Sequence, residues 1–113
     1  GRVAIFNRSR ANGERLAGAL KAEFLLLSDC LPNHYAILIN TTPVGMYPDI
    51  SQRPDIPYEG ITSGHFLFDL IYNPSLTSFL EEGKKRGAIV ENGLNMLRLQ
   101  AEASWNIWLE FSV

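Results

Sequence analysis

The stretch FLFDLIYNPSLTSFLEEGKKRGAIV, from Phe66 to Val90, decides the fold. It opens with Phe66-Leu67-Phe68-Asp69-Leu70-Ile71, a nearly unbroken apolar run of strand length, closed by the turn-forming pair Asn73-Pro74. Leu76 to Arg86 then reads as a helix, with Ser75 where a helix starts and Gly87 where it stops. Ala88-Ile89-Val90 follows as a brief strand. Strand, helix and strand in that order argue for a parallel pair in an α/β layer architecture.

Outward from this unit the same alternation continues. Arg2 to Phe6 reads as a buried strand, and Ala11 to Lys21 as a helix with Leu16, Ala17 and Leu20 on one face. Phe24 to Leu27 is a further strand. Ala36-Ile37-Leu38-Ile39 is another, apolar throughout, as expected of a parallel strand covered on both faces. The stretch from Thr41 to Gly64 holds Pro43, Pro48, Pro54 and Pro57, and reads as loop with at most a short helical turn. The last helix runs from Leu94 to Glu110. Its polar residues Asn95, Arg98, Glu102, Asn106 and Glu110 recur at helical spacing, while Leu94, Leu97, Ala101, Trp105 and Trp108 mark another face. The predicted fold is α/β: a Rossmann-like, mainly parallel sheet with flanking helices.

Composition narrows the class. With 113 residues, a single domain is the natural unit. The apolar share of 46% is too high for a disordered chain. No stretch approaches the roughly 20 apolar residues of a membrane span, and the N-terminal residues do not read as a signal peptide. One cysteine, Cys30, offers no internal disulfide and fits a reducing cytoplasm. A formal net charge of −2 lacks the basic footprint of a nucleic-acid binder. Any bound anion must therefore be held by local geometry.

Open α/β sheets bind ligands beyond the carboxyl ends of their strands. The residues there are Asn7-Arg8-Ser9-Arg10, Asn40-Thr41-Thr42-Pro43, Tyr72-Asn73-Pro74 and Asn92-Gly93. The first group is informative. NAD-binding folds place a carboxylate there for the ribose hydroxyls, and this chain has none. A carboxylate ~4 Å from a 2′-phosphate would be repelled by about 4 kcal/mol at an effective dielectric of about 20. An Arg reverses the sign and offers paired hydrogen bonds, and a helix N-terminus adds N–H donors. The bland alternative is a solvated loop in which Ser9 caps the helix. The GxGxxG fingerprint is absent; it would lie roughly 20 residues before the ribose-binding position, so it is expected upstream of Gly1. The strand it follows is central in the usual order. Its loss should leave exposed edges that invite pairing with a second copy or rearrangement of the sheet.

Four motifs occur in order: Asn7-Arg8-Ser9 with Leu16-Ala17; Asn40-Thr41-Thr42-Pro43-Val44-Gly45-Met46; Asp69-Leu70-Ile71-Tyr72-Asn73-Pro74 with Thr77; and Asn92-Gly93-Leu94-Asn95-Met96-Leu97 with Gln100 and Ala101. Together they closely resemble the C-terminal domain of shikimate dehydrogenase, from Arg2 to Trp108. The resemblance implies NADP as cofactor and reduction of 3-dehydroshikimate to shikimate in aromatic amino-acid biosynthesis. It further implies that Asn7 to Asn12, including Arg8, Ser9 and Arg10, grip the adenosine ribose and its 2′-phosphate. Thr42 would approach the cofactor, the backbones of Leu70 and Gly93 would lie by the nicotinamide, and Met96 would pack near that ring. Tyr72 and Gln100 would hydrogen-bond the substrate. One departure is Asn12, where many relatives carry Lys or Arg; Arg10 is the available substitute, and NAD use stays open. The family's proton donors, a Lys and an Asp, belong to an N-terminal domain. None of Lys21, Lys84 or Lys85 sits at a strand end, so this chain holds no catalytic residue and is expected to be inactive alone. Rival readings are an NAD-preferring quinate/shikimate dehydrogenase and a non-catalytic nucleotide-binding module.

Taken singly, the residues have plainer readings. Tyr72 reads as a strand cap, Gln100 as an exposed helical residue, Gly93 as a loop glycine and Met96 as core filler. Asp69, inside an apolar strand, is either buried with partners or close to the ligand edge, and the structural role is the reading taken. His34 and His65 are read as surface loop residues, Lys84-Lys85-Arg86 as cations suited to a helix C-terminus, and Cys30 as inert. No HExxH, CxxC or GxSxG pattern appears, so no metal site or serine hydrolase is predicted.

Overall fold

A computed structural model describes residues 3–7 and 10–111. The apolar runs form five short strands: β1 (Ala4–Asn7), β2 (Glu23–Leu26), β3 (Ile37–Asn40), β4 (Phe66–Asp69) and β5 (Ile89–Glu91). Three helices accompany them: α1 (Arg10–Leu20), α2 (Ser78–Lys85) and α3 (Leu94–Phe111). Single 3-10 turns at Leu27–Asp29, Pro32–His34 and Tyr58–Gly60 punctuate the loops. β1 pairs in parallel with β2, Ile5 opposite Phe24. β3, β4 and β5 form a second parallel sheet in that order. The expected rearrangement of the sheet is not present. The two pieces stay separate, and β1 and β3 each keep one edge with no strand partner among the described residues.

The pleat explains where the core sits. Leu38, Leu67 and Val90 are register partners and point to one face of the larger sheet; Ile37, Phe66 and Ile89 point to the other. α2 covers the first face with Phe79 and Leu80, joined by Tyr58, Ile61 and Ala88 around a fully buried Leu67. The second face is open: Ile37 is 60% and Ile89 65% exposed. The expectation that β3 is covered on both faces is thereby corrected. An apolar strand sequence records that a face must be buried, not which element buries it.

α1 packs on β1 and β2 through Gly13 and Ala17, both buried, while Leu16 and Leu20 stay exposed. Of the predicted face, Ala17 is buried as expected, whereas Leu16 and Leu20 are not. The Phe24 ring occupies the space where a Gly13 side chain would stand, and this contact sets the helix phase. α3 is exposed along nearly its whole length, with Met96 half-buried and Trp105 and Trp108 59% and 68% exposed. Its predicted apolar face is present but uncovered. Consistent with that, the radius of gyration is 16.0 Å, against about 13 Å for a compact domain of this length.

α2 begins at Ser78, later than the sequence suggested. Thr77, not Ser75, is the N-cap, its hydroxyl accepting the Leu80 N–H at 3.2 Å. At the other end Lys85 pairs with Glu81 and Glu82, and Arg86 with Glu82. The long loop is pinned by Tyr58, whose hydroxyl donates to the Pro54 carbonyl at 2.6 Å and whose ring meets Phe79 edge-on. His65 is buried rather than on the surface. Its Nδ1 accepts the Thr62 N–H at 3.0 Å, which leaves Nε2–H to donate to the Pro32 carbonyl at 2.9 Å. Two loops thus close over one imidazole. Cys30 is buried, and burial pushes its thiol above the ordinary value, in keeping with an inert role.

Candidate functional site

The carboxyl ends of β3 and β4 are joined by side chains. Asn40 and Asp69 are register partners, and both are buried at the last positions of their strands. The Asn40 amide donates to Asp69 Oδ1 at 3.2 Å and toward the Val44 carbonyl at 3.4 Å. Its carbonyl oxygen accepts the Thr42 N–H at 3.1 Å and the Thr42 hydroxyl at 2.7 Å. Asp69 Oδ1 also accepts the Ile71 N–H at 3.1 Å, and Oδ2 accepts the Thr77 hydroxyl at 2.8 Å. Burial drives the Asp69 carboxyl above its ordinary value, while the bonds from Ile71, Thr77 and Asn40 pull the other way. The structural reading of Asp69 holds: it is fully buried and every carboxylate oxygen has a donor.

These loops wall a cleft of about 470 Å³, lined by residues 41–43, Met46, Tyr47 and residues 70–73. Thr42, Leu70 and Tyr72, singled out separately in the sequence, come together here. Gly93 joins them from the end of β5. A side chain at Gly93 would fall on the Leu70 carbonyl oxygen, so only glycine lets the two backbones meet. The Gly93 N–H donates to the Ile71 carbonyl at 3.2 Å, and the Asn92 side-chain oxygen accepts the Leu94 N–H at 3.0 Å where α3 begins. Gly45, at φ +101°, turns the β3 loop back beneath the cleft against the Gln52 carbonyl. The Tyr47 N–H then bonds the Asn73 carbonyl at 3.1 Å, tying the two walls together.

Other predicted residues stand elsewhere. Met96 lies half-buried in the first turns of α3, and Gln100 lies further along it, exposed and outside the cleft lining. Asn7 ends β1 and Asn12 sits in the first turn of α1, on the smaller sheet. Arg8 and Ser9 lie outside the described residues, as does the side chain of Arg10. Asn40 and Thr77 stand in the quoted motifs but were assigned no role from the sequence; the structure makes them partners of Asp69. A clue was available: an Asn two places before a Thr at a strand end is a local turn-forming pattern.

Chemically, the cleft offers hydroxyls, backbone amides and apolar surface, and among the described residues no carboxylate, imidazole or amine lines it. It can bind and orient a polar ligand beside a flat one. Among the described residues no cluster of His, Cys, Asp and Glu could hold a metal ion, and no helix is long and apolar enough to cross a membrane.

Parallel strands, helices on the connections and polar strand ends around a cleft define a Rossmann-like α/β domain. Comparison with known proteins agrees. The chain is 37% identical over 94% of its length to the shikimate dehydrogenase (NADP(+)) of Caldanaerobacter subterraneus, and 40% identical over 94% to that of Methanococcus maripaludis. It superposes on a shikimate dehydrogenase solved with NADP+ with a TM-score of 0.81, 35% identity and 95% coverage of this chain. A Thermus thermophilus shikimate 5-dehydrogenase solved with NADP(H) and shikimate gives 0.83 at 31% identity, again over 95%. A 5-ketofructose reductase of Gluconobacter gives 0.88 at 30% identity over 97%. No protein-family profile matches. The chain belongs to the shikimate dehydrogenase family, and it spans 40% of the length of these curated relatives.

Proposed function

We propose that this chain is the NADP-binding domain of a shikimate dehydrogenase, an enzyme that reduces 3-dehydroshikimate to shikimate with NADPH in aromatic amino-acid biosynthesis. The observation that carries the reading is the cleft in which Thr42, Leu70 and Tyr72 meet, with Gly93 closed onto Leu70. The cofactor supplies a hydride. The chain's own task is to hold and aim it. The strand end at Asn7, with Arg8, Ser9, Arg10 and Asn12, takes the adenosine ribose and 2′-phosphate; Arg10 serves where relatives use a cation at the Asn12 position. Thr42 and the backbones of Leu70 and Gly93 flank the nicotinamide, Met96 packs beside it, and Tyr72 and Gln100 bond the substrate from this side.

The proton donors, the Lys and Asp that the resemblance implies, come from the remaining part of the protein; among the described residues no carboxylate, imidazole or amine lines the cleft. That part, an N-terminal substrate domain working in the cytoplasm with this one, would also bring the Gly-rich turn and a strand fitting between the free edges of β1 and β3. In its absence those edges favour pairing with a second copy of the chain.

Turnover decides the reading. The complete parent protein should reduce 3-dehydroshikimate with NADPH, and the 113-residue chain should not. Reduction of 5-ketofructose in place of 3-dehydroshikimate, or oxidation of quinate in place of shikimate, by the parent protein would overturn it. So would turnover by this chain alone at the parent's rate.

A further inference from the structure

We propose that Asp69 is a positioning residue for the cleft, one buried carboxylate setting the loop after β3, the loop after β4 and the start of α2 in a common register. The inference rests on the functional reading above and goes beyond it, since Asp69 lines no part of the cleft. Its three donors come from three segments: the Asn40 amide, the Ile71 N–H and the Thr77 hydroxyl. Each donor leads onward. Asn40 passes the constraint to Thr42 and Val44, Ile71 precedes Tyr72, and Thr77 caps α2.

All three donors are neutral. A carboxylate buried without a cation is costly, and an apolar residue would suit the surrounding strand better for stability alone. What the carboxylate provides is acceptor capacity. It has no hydrogen to place, so it can take bonds from every side at once, which neither Asn nor Ser can do. The hydrogen bonds hold Thr42 and Tyr72, on opposite walls, through one point. Misplacing a bound reactant by about 1 Å can cost on the order of 100-fold in rate, so a loss of this shared register should be visible in catalysis.

The test uses the complete parent protein and two readouts. Asp69→Asn keeps the shape but presents an amide to groups that need an acceptor. Turnover of 3-dehydroshikimate should fall by about 10-fold to 100-fold in kcat/KM, and in a Tyr72→Phe background the same change should add less than about twofold. Thr77→Val should reproduce the loss and Thr77→Ser restore it, which serves if the Asp69 variant does not fold. Independently of activity, hydrogen exchange at the Thr42, Val44 and Ile71 amides should speed up by about 10-fold or more relative to those of β2. An unmodified parent protein inactive on 3-dehydroshikimate would sink the functional reading. Exchange at those amides no faster than in the unmodified protein, or fully additive losses with Tyr72→Phe, would overturn the positioning role.

Discussion

Around β4 a buried leucine is ringed by Tyr58, Phe79 and Leu80, and strand ends are cross-linked by a satisfied carboxylate. Around β1 the strands are only half-buried, and the small residues Gly13 and Ala17 are what α1 buries against them. Both halves are strand–helix–strand units with parallel pairing. They differ in how much of each layer is complete. The larger sheet has one face closed by α2 and a closed hydrogen-bond network at its site. The smaller sheet is a two-stranded ribbon, a size that is marginal without further packing. The cleft's walls are therefore set by this chain, whereas β1, the strand proposed to grip the nucleotide, rests on a weaker base.

The sharpest way to break the contrast is to hollow out each half in turn. Leu67→Ala should cost about 3 kcal/mol, because it removes a fully buried side chain from a packed ring. Leu25→Ala, in half-buried β2, should cost less than about 1.5 kcal/mol. Chemical denaturation of both variants checks the pair. Equal losses would mean the two halves share one core.

A smaller effect probes the edge of the larger half. Glu82 accepts from Arg86, and that bond above all, with the charges of Arg53 and Lys85, holds its carboxyl below the ordinary value of 4.5. A carboxyl with a lowered folded value stabilises the fold when ionised. The contribution is full above pH 4.5 and fades as pH falls through the folded value. Glu82→Gln should cost about 0.5 kcal/mol near neutral pH, after allowing for solvent screening, and nothing in strong acid. Asp69, with its value raised, runs the other way, losing stability as pH climbs past 3.8. Melting curves across the acid range distinguish the two signs.

Much of this was legible beforehand. The unit from Phe66 to Val90 could be read within a residue or two, because an apolar run bounded by Asn73-Pro74 and Gly87 leaves few alternatives. Most of the face of α1 was not, since Leu16 and Leu20 look like core residues until the Phe24 ring is seen to occupy the space beside Gly13. Nor was the Asn40–Asp69 bond, which joins residues 29 apart in the chain and depends on strand register. Thr77 was obscured for a related reason: its choice over Ser75 as cap follows from its bond to Asp69. Thr42, Tyr72 and Gly93 were found through the resemblance, and geometry then brought Thr42 and Tyr72 into one cleft, with Gly93 closing onto its Leu70 wall.

The central proposal is that the strand end at Asn7 receives a 2′-phosphorylated adenosine. Titration of the complete parent protein with NADP+ and NAD+ by calorimetry tests it most directly. NADP+ should bind at least about 10-fold more tightly, and Arg8→Ala should abolish most of that preference by removing a charge-assisted phosphate contact. Equal affinity for the two cofactors, or a preference untouched by Arg8→Ala, would contradict it.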